Sequence, residues 1–311
     1  MKKVISLMMV FAMSSAFATT YTWTGANGTD LADPENWISG GVVPQELTNE
    51  DTLEMSPQAL ETTFTLSKSM ENAAGKLNLA WNATTTYFDF GDYEWNLLGG
   101  LSTPRDYGDG GTLATIAFTN GTFTTPGWSW FGTDWNRPAV ELKITGSNTT
   151  FNIGGLDFRA GMGGRLTVTD GAKFYGSGDG SRVIGGSVNG LISGPGTVFS
   201  MIHNAYQHPN NAMLAFGAND SHLHITDGAL VYIKSGNGTD KGLCINNGGN
   251  SGISLLVDGG ATVTNLGILY IDGGINGSGS GHSMTVSNAS IYTSWLWREW
   301  RDYLWRVQQY R

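Results

Sequence analysis

The residues best suited to metal chemistry in this sequence are two histidines, His222 and His224, that flank a leucine. Side chains two residues apart in a β-strand point to the same side of the sheet, so both imidazoles are expected to face outward. Asp220 would add a carboxylate, and together the three residues suit zinc. A structural zinc site needs four ligands, and no fourth is evident. We therefore predict solvent-facing strand histidines, and neither a metal nor another cofactor.

Four aspartates recur beside glycines, a pattern that suits either calcium binding or catalysis by paired carboxylates. They are Asp170, Asp227, Asp258 and Asp272. The Asp-Gly pair is also the ordinary sequence of a tight turn, and the Gly-Gly-x-Gly-x-Asp calcium repeat does not occur in register. We therefore predict turns at these positions and assign no catalytic residue.

Three tryptophans crowd one short segment and form the best candidate ligand-binding site in the sequence. They are Trp128, Trp130 and Trp135. Trp128 and Trp130 share one strand face, opposite Phe131, so they point outward if Phe131 points inward. Exposed indoles suit stacking on the apolar faces of sugar rings, which makes a glycan the expected ligand. The alternative is that a loop or a neighbouring chain covers both indoles.

Strand–turn–strand units must position these residues, because the sequence repeats itself. Leu166–Phe174 alternates apolar and polar residues, passes through Asp-Gly and continues as a second strand. The pattern returns in Leu223–Val231 and, more loosely, in Leu255–Val263 and Met284–Tyr292. Each unit is too short to bury its apolar face alone, so the copies must stack.

Two interleaved series of apolar residues mark the repeats. The first series is Phe118, Ile144, Val168, Ile192, Ile225, Val257 and Val286, and the second is Phe131, Phe158, Ile184, Phe216, Ile245 and Ile271. No helix-length pattern separates the strands, and like segments at like spacing favour parallel pairing over antiparallel hairpins. We predict an all-β, single-stranded parallel β-helix, a right-handed solenoid with three-sided coils of about 24–33 residues.

The start of the chain indicates an exported protein, and its composition and charge fit this prediction. The chain has 311 residues, a net charge of −9 and one cysteine, so no internal disulfide forms. The first 18 residues have the form of a secretory signal peptide that ends in Ala16–Ala18, with the mature chain starting near Thr19. No later stretch is apolar and long enough to cross a bilayer, and the acidic body argues against nucleic acid as a partner. We expect a secreted or cell-surface protein.

The pattern divides the chain into four parts. After the signal peptide at 1–18 come an N-terminal β region with atypical first coils at 19–111 and regular coils at 112–293. The tail at 294–311 contains four tryptophans, four arginines and no glycine. It is expected to be a cap over the last coil or the product of a reading-frame slip near Tyr292. A reading-frame slip would explain the composition, because a TGG tryptophan codon read one base later begins with GG and encodes glycine.

The opening of the chain resembles a known group of proteins. Three motifs follow one another. Tyr21–Gly25 ends in Trp-Thr-Gly, Asp33–Trp37 has the sequence Asp-Pro-Glu-Asn-Trp, and Gly40–Pro44 ends in Val-Val-Pro. This order, followed by Leu-Thr-Val-Thr-Asp-Gly strands, is similar to that of bacterial secreted parallel β-helix repeat proteins, which resemble autotransporter passenger domains. The resemblance implies an exported β-helix displayed on or shed from the cell, and it supplies no catalytic residues.

Three functions follow from these patterns. The first is a non-catalytic protein of the cell surface or extracellular matrix, with an adhesive, coating or structural role and with glycans or other cell-surface components as partners. The second is a polysaccharide-active lyase or hydrolase, because such enzymes share this fold class. The sequence therefore leaves open whether the protein is an enzyme, and it favours the answer that it is not. The third is a carbohydrate-binding module that uses the tryptophans. A catalytic groove would need acids and a basic residue from neighbouring coils, and the best place to look for it is beside the arginines of the stack, which are Arg137, Arg159, Arg165 and Arg182.

Overall fold

A computed structural model shows an all-β chain of parallel strands stacked as a solenoid. It describes residues 19–44, 47, 50–55, 61–70, 75–79, 85–103, 113–131, 140–158, 164–177, 181–183, 188–202, 214–216, 219–234, 241–245, 251–271, 280–297 and 309–310. Within these ranges the chain forms no α-helix, only a short 3-10 turn at Pro34–Asn36. The residues in these ranges form no helix that is long and apolar enough to cross a membrane.

The strands follow one another along the described ranges. They are β1 (Thr20–Trp23), β2 (Trp37–Ile38), β3 (Thr52–Met55), β4 (Glu61–Thr65), β5 (Lys76–Leu79), β6 (Thr85–Asn96), β7 (Leu101–Ser102), β8 (Ala114–Phe131), β9 (Val140–Thr145), β10 (Thr149–Phe158), β11 (Arg165–Thr169), β12 (Lys173–Gly176), β13 (Ser181–Val183), β14 (Asn189–Ser193), β15 (Val198–Ile202), β16 (Leu214–Phe216), β17 (His222–Thr226), β18 (Leu230–Lys234), β19 (Lys241–Ile245), β20 (Ser254–Val257), β21 (Thr262–Ile271), β22 (Ser283–Ser287), β23 (Ser290–Trp297) and β24 (Gln309–Tyr310).

The first series of sequence markers forms one continuous parallel ladder, which we call ladder A. It contains β4, the starts of β6 and β8, then β9, β11, β14, β17, β20 and β22. Val168 lies in register between Ile144 and Ile192, and the remaining markers continue in the same row. The predicted parallel β-helix is confirmed, because each marker pairs with its own counterpart in the next coil.

The second series forms ladder C, with one correction. Ladder C contains β1, β3, β5, β7, the ends of β8 and β10, then β13, β16, β19 and the ends of β21 and β23. The partner of Phe158 and Phe216 is Val183 and not the predicted Ile184, which lies outside the described residues. The wrong choice followed the Gly-Gly pair after Ile184, whereas backbone register places the neighbouring residue in the row.

The strands after the Asp-Gly turns form a third row, ladder B, which the sequence markers did not separate. It contains the end of β6, the middle of β8, the start of β10, β12, β15, β18 and the starts of β21 and β23. One coil therefore contributes three strands, as β11, β12 and β13 do. Parallel pairing also starts before the regular coils, since β1 pairs with β3 and β3 with β5. The strand β23 crosses residue 294, where the tail was predicted to begin.

Aromatic side chains fill the interior behind ladder B. Phe151 and Phe174 stack with ring centroids 5.6 Å apart, and Phe174 and Phe199 stack at 4.7 Å with planes 14° apart. All three rings are buried. Like side chains meet because neighbouring coils are in register, and each buried ring stabilises the fold by roughly 1.5–3 kcal/mol.

The motif that carries the family resemblance covers the edge of the first strand. β2 pairs antiparallel with β1, and the buried Trp37 ring packs edge-on against Trp23 at 5.0 Å. Asp33 caps the 3-10 turn by accepting a hydrogen bond from the backbone N–H of Glu35. This arrangement blocks an exposed strand edge, which solenoids must protect against association with other chains.

Candidate functional site

The tryptophan segment lies at the end of β8, where ladder C begins its regular spacing. Phe131 and Ser129 are buried in the interior, while Trp130 is 41% exposed and Trp128 is partly buried. The predicted arrangement, with Trp128 and Trp130 on the face opposite Phe131, is confirmed. Trp135 lies outside the described residues.

The two indoles differ in how much surface they offer to a ligand. Trp128 lies in register with Gly155 of the next coil, and a Cβ atom added to Gly155 would come within 2.7 Å of the Trp128 ring. The absence of a side chain at Gly155 thus leaves room for the Trp128 ring to lie against the next coil. Trp130 remains open and is flanked in its row by Ser102 and by Asp157, which is buried. The exposed flat ring of Trp130 suits stacking on the apolar face of a sugar.

The histidines of ladder A face outward as predicted, and each contacts its own partner in the following coil. His222 Nδ1 lies 2.6 Å from Ser254 Oγ, and His224 Nε2 lies 2.8 Å from Asp258 Oδ1. Burial opposes ionisation of Asp258, but hydrogen bonds from Thr226 and His224 and the nearby imidazole charge together lower its pKa. Across the described ranges, no group of three or more His, Cys, Asp or Glu residues is placed to hold a metal ion.

The recurring aspartates form turns between ladders A and B. Asp170 and Asp227 have positive φ angles of 60° and 53°, a conformation that aspartate tolerates better than most residues. Asp170 Oδ2 accepts hydrogen bonds from the hydroxyls of Thr145, at 2.6 Å, and Thr169, at 2.9 Å. These two bonds lower the pKa of Asp170 despite partial desolvation. Its carboxylate therefore links neighbouring coils, and Asp272 lies outside the described residues.

The arginines considered for catalysis fall on different ladders. Arg165 is an exposed residue of ladder A, in register with Glu141, whereas Arg182 occupies a backbone position in ladder C next to Asp157. Arg137 and Arg159 lie outside the described residues. Arg165 and Arg182 thus occupy backbone positions on different ladders.

Sequence reasoning missed a row of tyrosines on the outer face of ladder B. Tyr175, Tyr232 and Tyr292 occupy the same position in their coils, with Ser200 and Thr264 on the coils between them. The signal was present, because Tyr175 and Tyr232 each follow a turn aspartate by five residues. It was overlooked because the strand after the turn was treated as part of one hairpin-like unit.

Comparison with known proteins gives no identity for the chain. No family model, no curated protein and no solved structure matches it. Function must therefore be argued from the solenoid surface itself.

Proposed function

We propose that the chain is an exported, non-catalytic β-solenoid of the cell surface or extracellular matrix, with an adhesive, coating or structural role. One observation carries the proposal: the turn carboxylates that were candidates for chemistry instead accept hydrogen bonds from hydroxyls of the same stack. Asp170 binds Thr145 and Thr169, and Asp227 accepts from Ser193. The signal-like first 18 residues and the resemblance to secreted bacterial repeat proteins support export.

The proposal predicts that the purified protein leaves polysaccharides intact. Incubation with a panel of acidic and neutral polysaccharides should release no new reducing ends and no unsaturated products, because the turn carboxylates of Asp170 and Asp227 are engaged by hydroxyls of their own stack. Material secreted by a producing cell should start near Thr19. Turnover of any polysaccharide at a rate above that of heat-unfolded protein would favour the lyase or hydrolase alternative.

A carbohydrate-binding role at the tryptophan segment is the second candidate, favoured by the open face of Trp130. The double variant Trp128→Ala and Trp130→Ala should no longer be retained by any glycan that binds the unchanged protein. Trp130→Ala alone should cause most of this loss, since Trp128 is partly buried. Affinity electrophoresis over a glycan panel measures this, with the exposed Tyr93→Ala as the matched control. Unchanged retention in the double variant would exclude this site.

A further inference from the structure

The tyrosine row of ladder B is a regular, solvent-facing array. Tyr175 is 38% exposed, Tyr232 is partly buried and Tyr292 is 61% exposed. Successive tyrosines are two coils apart, which corresponds to about 9.6 Å along the solenoid axis at about 4.8 Å per coil. The coils between them carry the smaller Ser200 and Thr264 at the same position. The row therefore presents aromatic rings at a fixed interval, with the buried Ser200 and the partly buried Thr264 between them.

The charge of this face differs from that of the whole chain. The five strand segments from β12 to β23 in ladder B contain two lysines, Lys173 and Lys234, and no aspartate or glutamate. The chain as a whole carries −9. The turn carboxylates of Asp170 and Asp227 come just before this ladder. A ligand on the face thus meets no carboxylate on these strands that must be desolvated, while the net charge of −9 on the whole chain repels a polyanion at longer range.

We propose that the tyrosine row binds an extended neutral polysaccharide that runs parallel to the solenoid axis. Phenol rings stack on the apolar faces of sugars, and their hydroxyls bind sugar hydroxyls. The disaccharide repeat of an extended β-1,4-linked chain is close to the two-coil spacing, so equivalent sugar rings meet equivalent tyrosines. A second copy of this chain fits less well, because the lysines of two such faces would meet no carboxylate on the opposite strands. The inference adds a ligand class to the proposed surface role and does not depend on Trp130.

Binding of the full chain to cellulose, chitin, soluble xylan and polygalacturonate tests the proposal. The unchanged protein should be retained by at least one neutral β-1,4-linked glycan, with little dependence on salt. The triple variant Tyr175→Ala, Tyr232→Ala and Tyr292→Ala should bind it at least about tenfold more weakly. Tyr87→Ala, on the outer face of ladder A, is the matched control and should bind normally.

A second variant separates spacing from composition and from loss of the fold. Exchanging Tyr232→Thr and Thr264→Tyr keeps three tyrosines but breaks the two-coil interval, and it should also weaken binding while denaturation midpoints stay near that of the unchanged protein. Unchanged binding in either variant overturns the proposal. So does retention by polygalacturonate alone, or a dimer that forms with the unchanged protein and is lost in the triple variant. Glycan turnover would contradict the non-catalytic role without affecting this binding result.

Discussion

Val168→Asp is expected to destabilise the solenoid by on the order of 3–5 kcal/mol. Val168 is fully buried at the centre of ladder A, in register between Ile144 and Ile192. Two apolar neighbours in the adjacent coils offer no partner for a carboxylate, so the new side chain must either stay charged and unpaired or bind a proton. Urea unfolding followed by far-ultraviolet circular dichroism gives the free energy change.

Two nearby substitutions serve as controls for Val168→Asp. Leu191→Asp places the same charge on the outer face of the next strand of ladder A, in register with Thr167 and His224, and should cost less than about 1 kcal/mol. Asp170→Asn should also cost less than about 1 kcal/mol, because asparagine adopts the same turn and its amide oxygen still accepts a hydroxyl hydrogen bond. If Asp170→Asn were the more damaging change, the turn carboxylates would have a role beyond the turn, and calcium binding would have to be tested directly.

Phe174→Ala should have a second large effect, a loss of about 3–5 kcal/mol. The ring is fully buried and stacks on Phe151 and Phe199 of the two adjacent coils, so truncation removes contacts on both sides and leaves a cavity between coils. Because the neighbouring strands are fixed by their ladder, they can close little of this space. Denaturant unfolding of the purified variant measures the loss.

The adjacent residue provides the comparison for Phe174→Ala. Tyr175→Ala removes a ring of similar size from the outer face of the same strand and should cost less than about 1 kcal/mol. Equal losses for Phe174→Ala and Tyr175→Ala would mean that the outer face of ladder B is covered, which would also contradict a glycan on the tyrosine row.

The stack was predictable because register and sequence period are the same property in a solenoid. Ile144, Val168 and Ile192 are equivalent in sequence, and parallel pairing places equivalent residues side by side. The exception, Val183 in place of Ile184, shows the limit of this reasoning. Glycines mark where a strand ends only approximately, whereas the hydrogen bonds of the ladder fix the register to a single residue.

The surface was harder to predict because it depends on contacts between coils. Alternation within β8 was sufficient to place Trp128 and Trp130 outside, but not to show that Trp128 lies against Gly155 one coil later. The histidines illustrate the same point. Alternation predicts that His222 and His224 face outward, but it does not show that each has its own partner in the following coil, Ser254 and Asp258.

Coils of unequal length keep one register, and this separates the scaffold from its connections. Gly176 and Ser181 bound a short link between ladders B and C, and the corresponding link one coil later, from Ile202 to Leu214, is longer. The strands on either side of the two links nevertheless stay in register. Gly176 pairs with Met201 just before the second link, and Ser181 pairs with Leu214 just after it. Foreign peptides grafted at this corner should therefore leave the neighbouring coils undisturbed. Epitopes grafted at equivalent corners could therefore be placed at defined distances from one another, in steps of one coil.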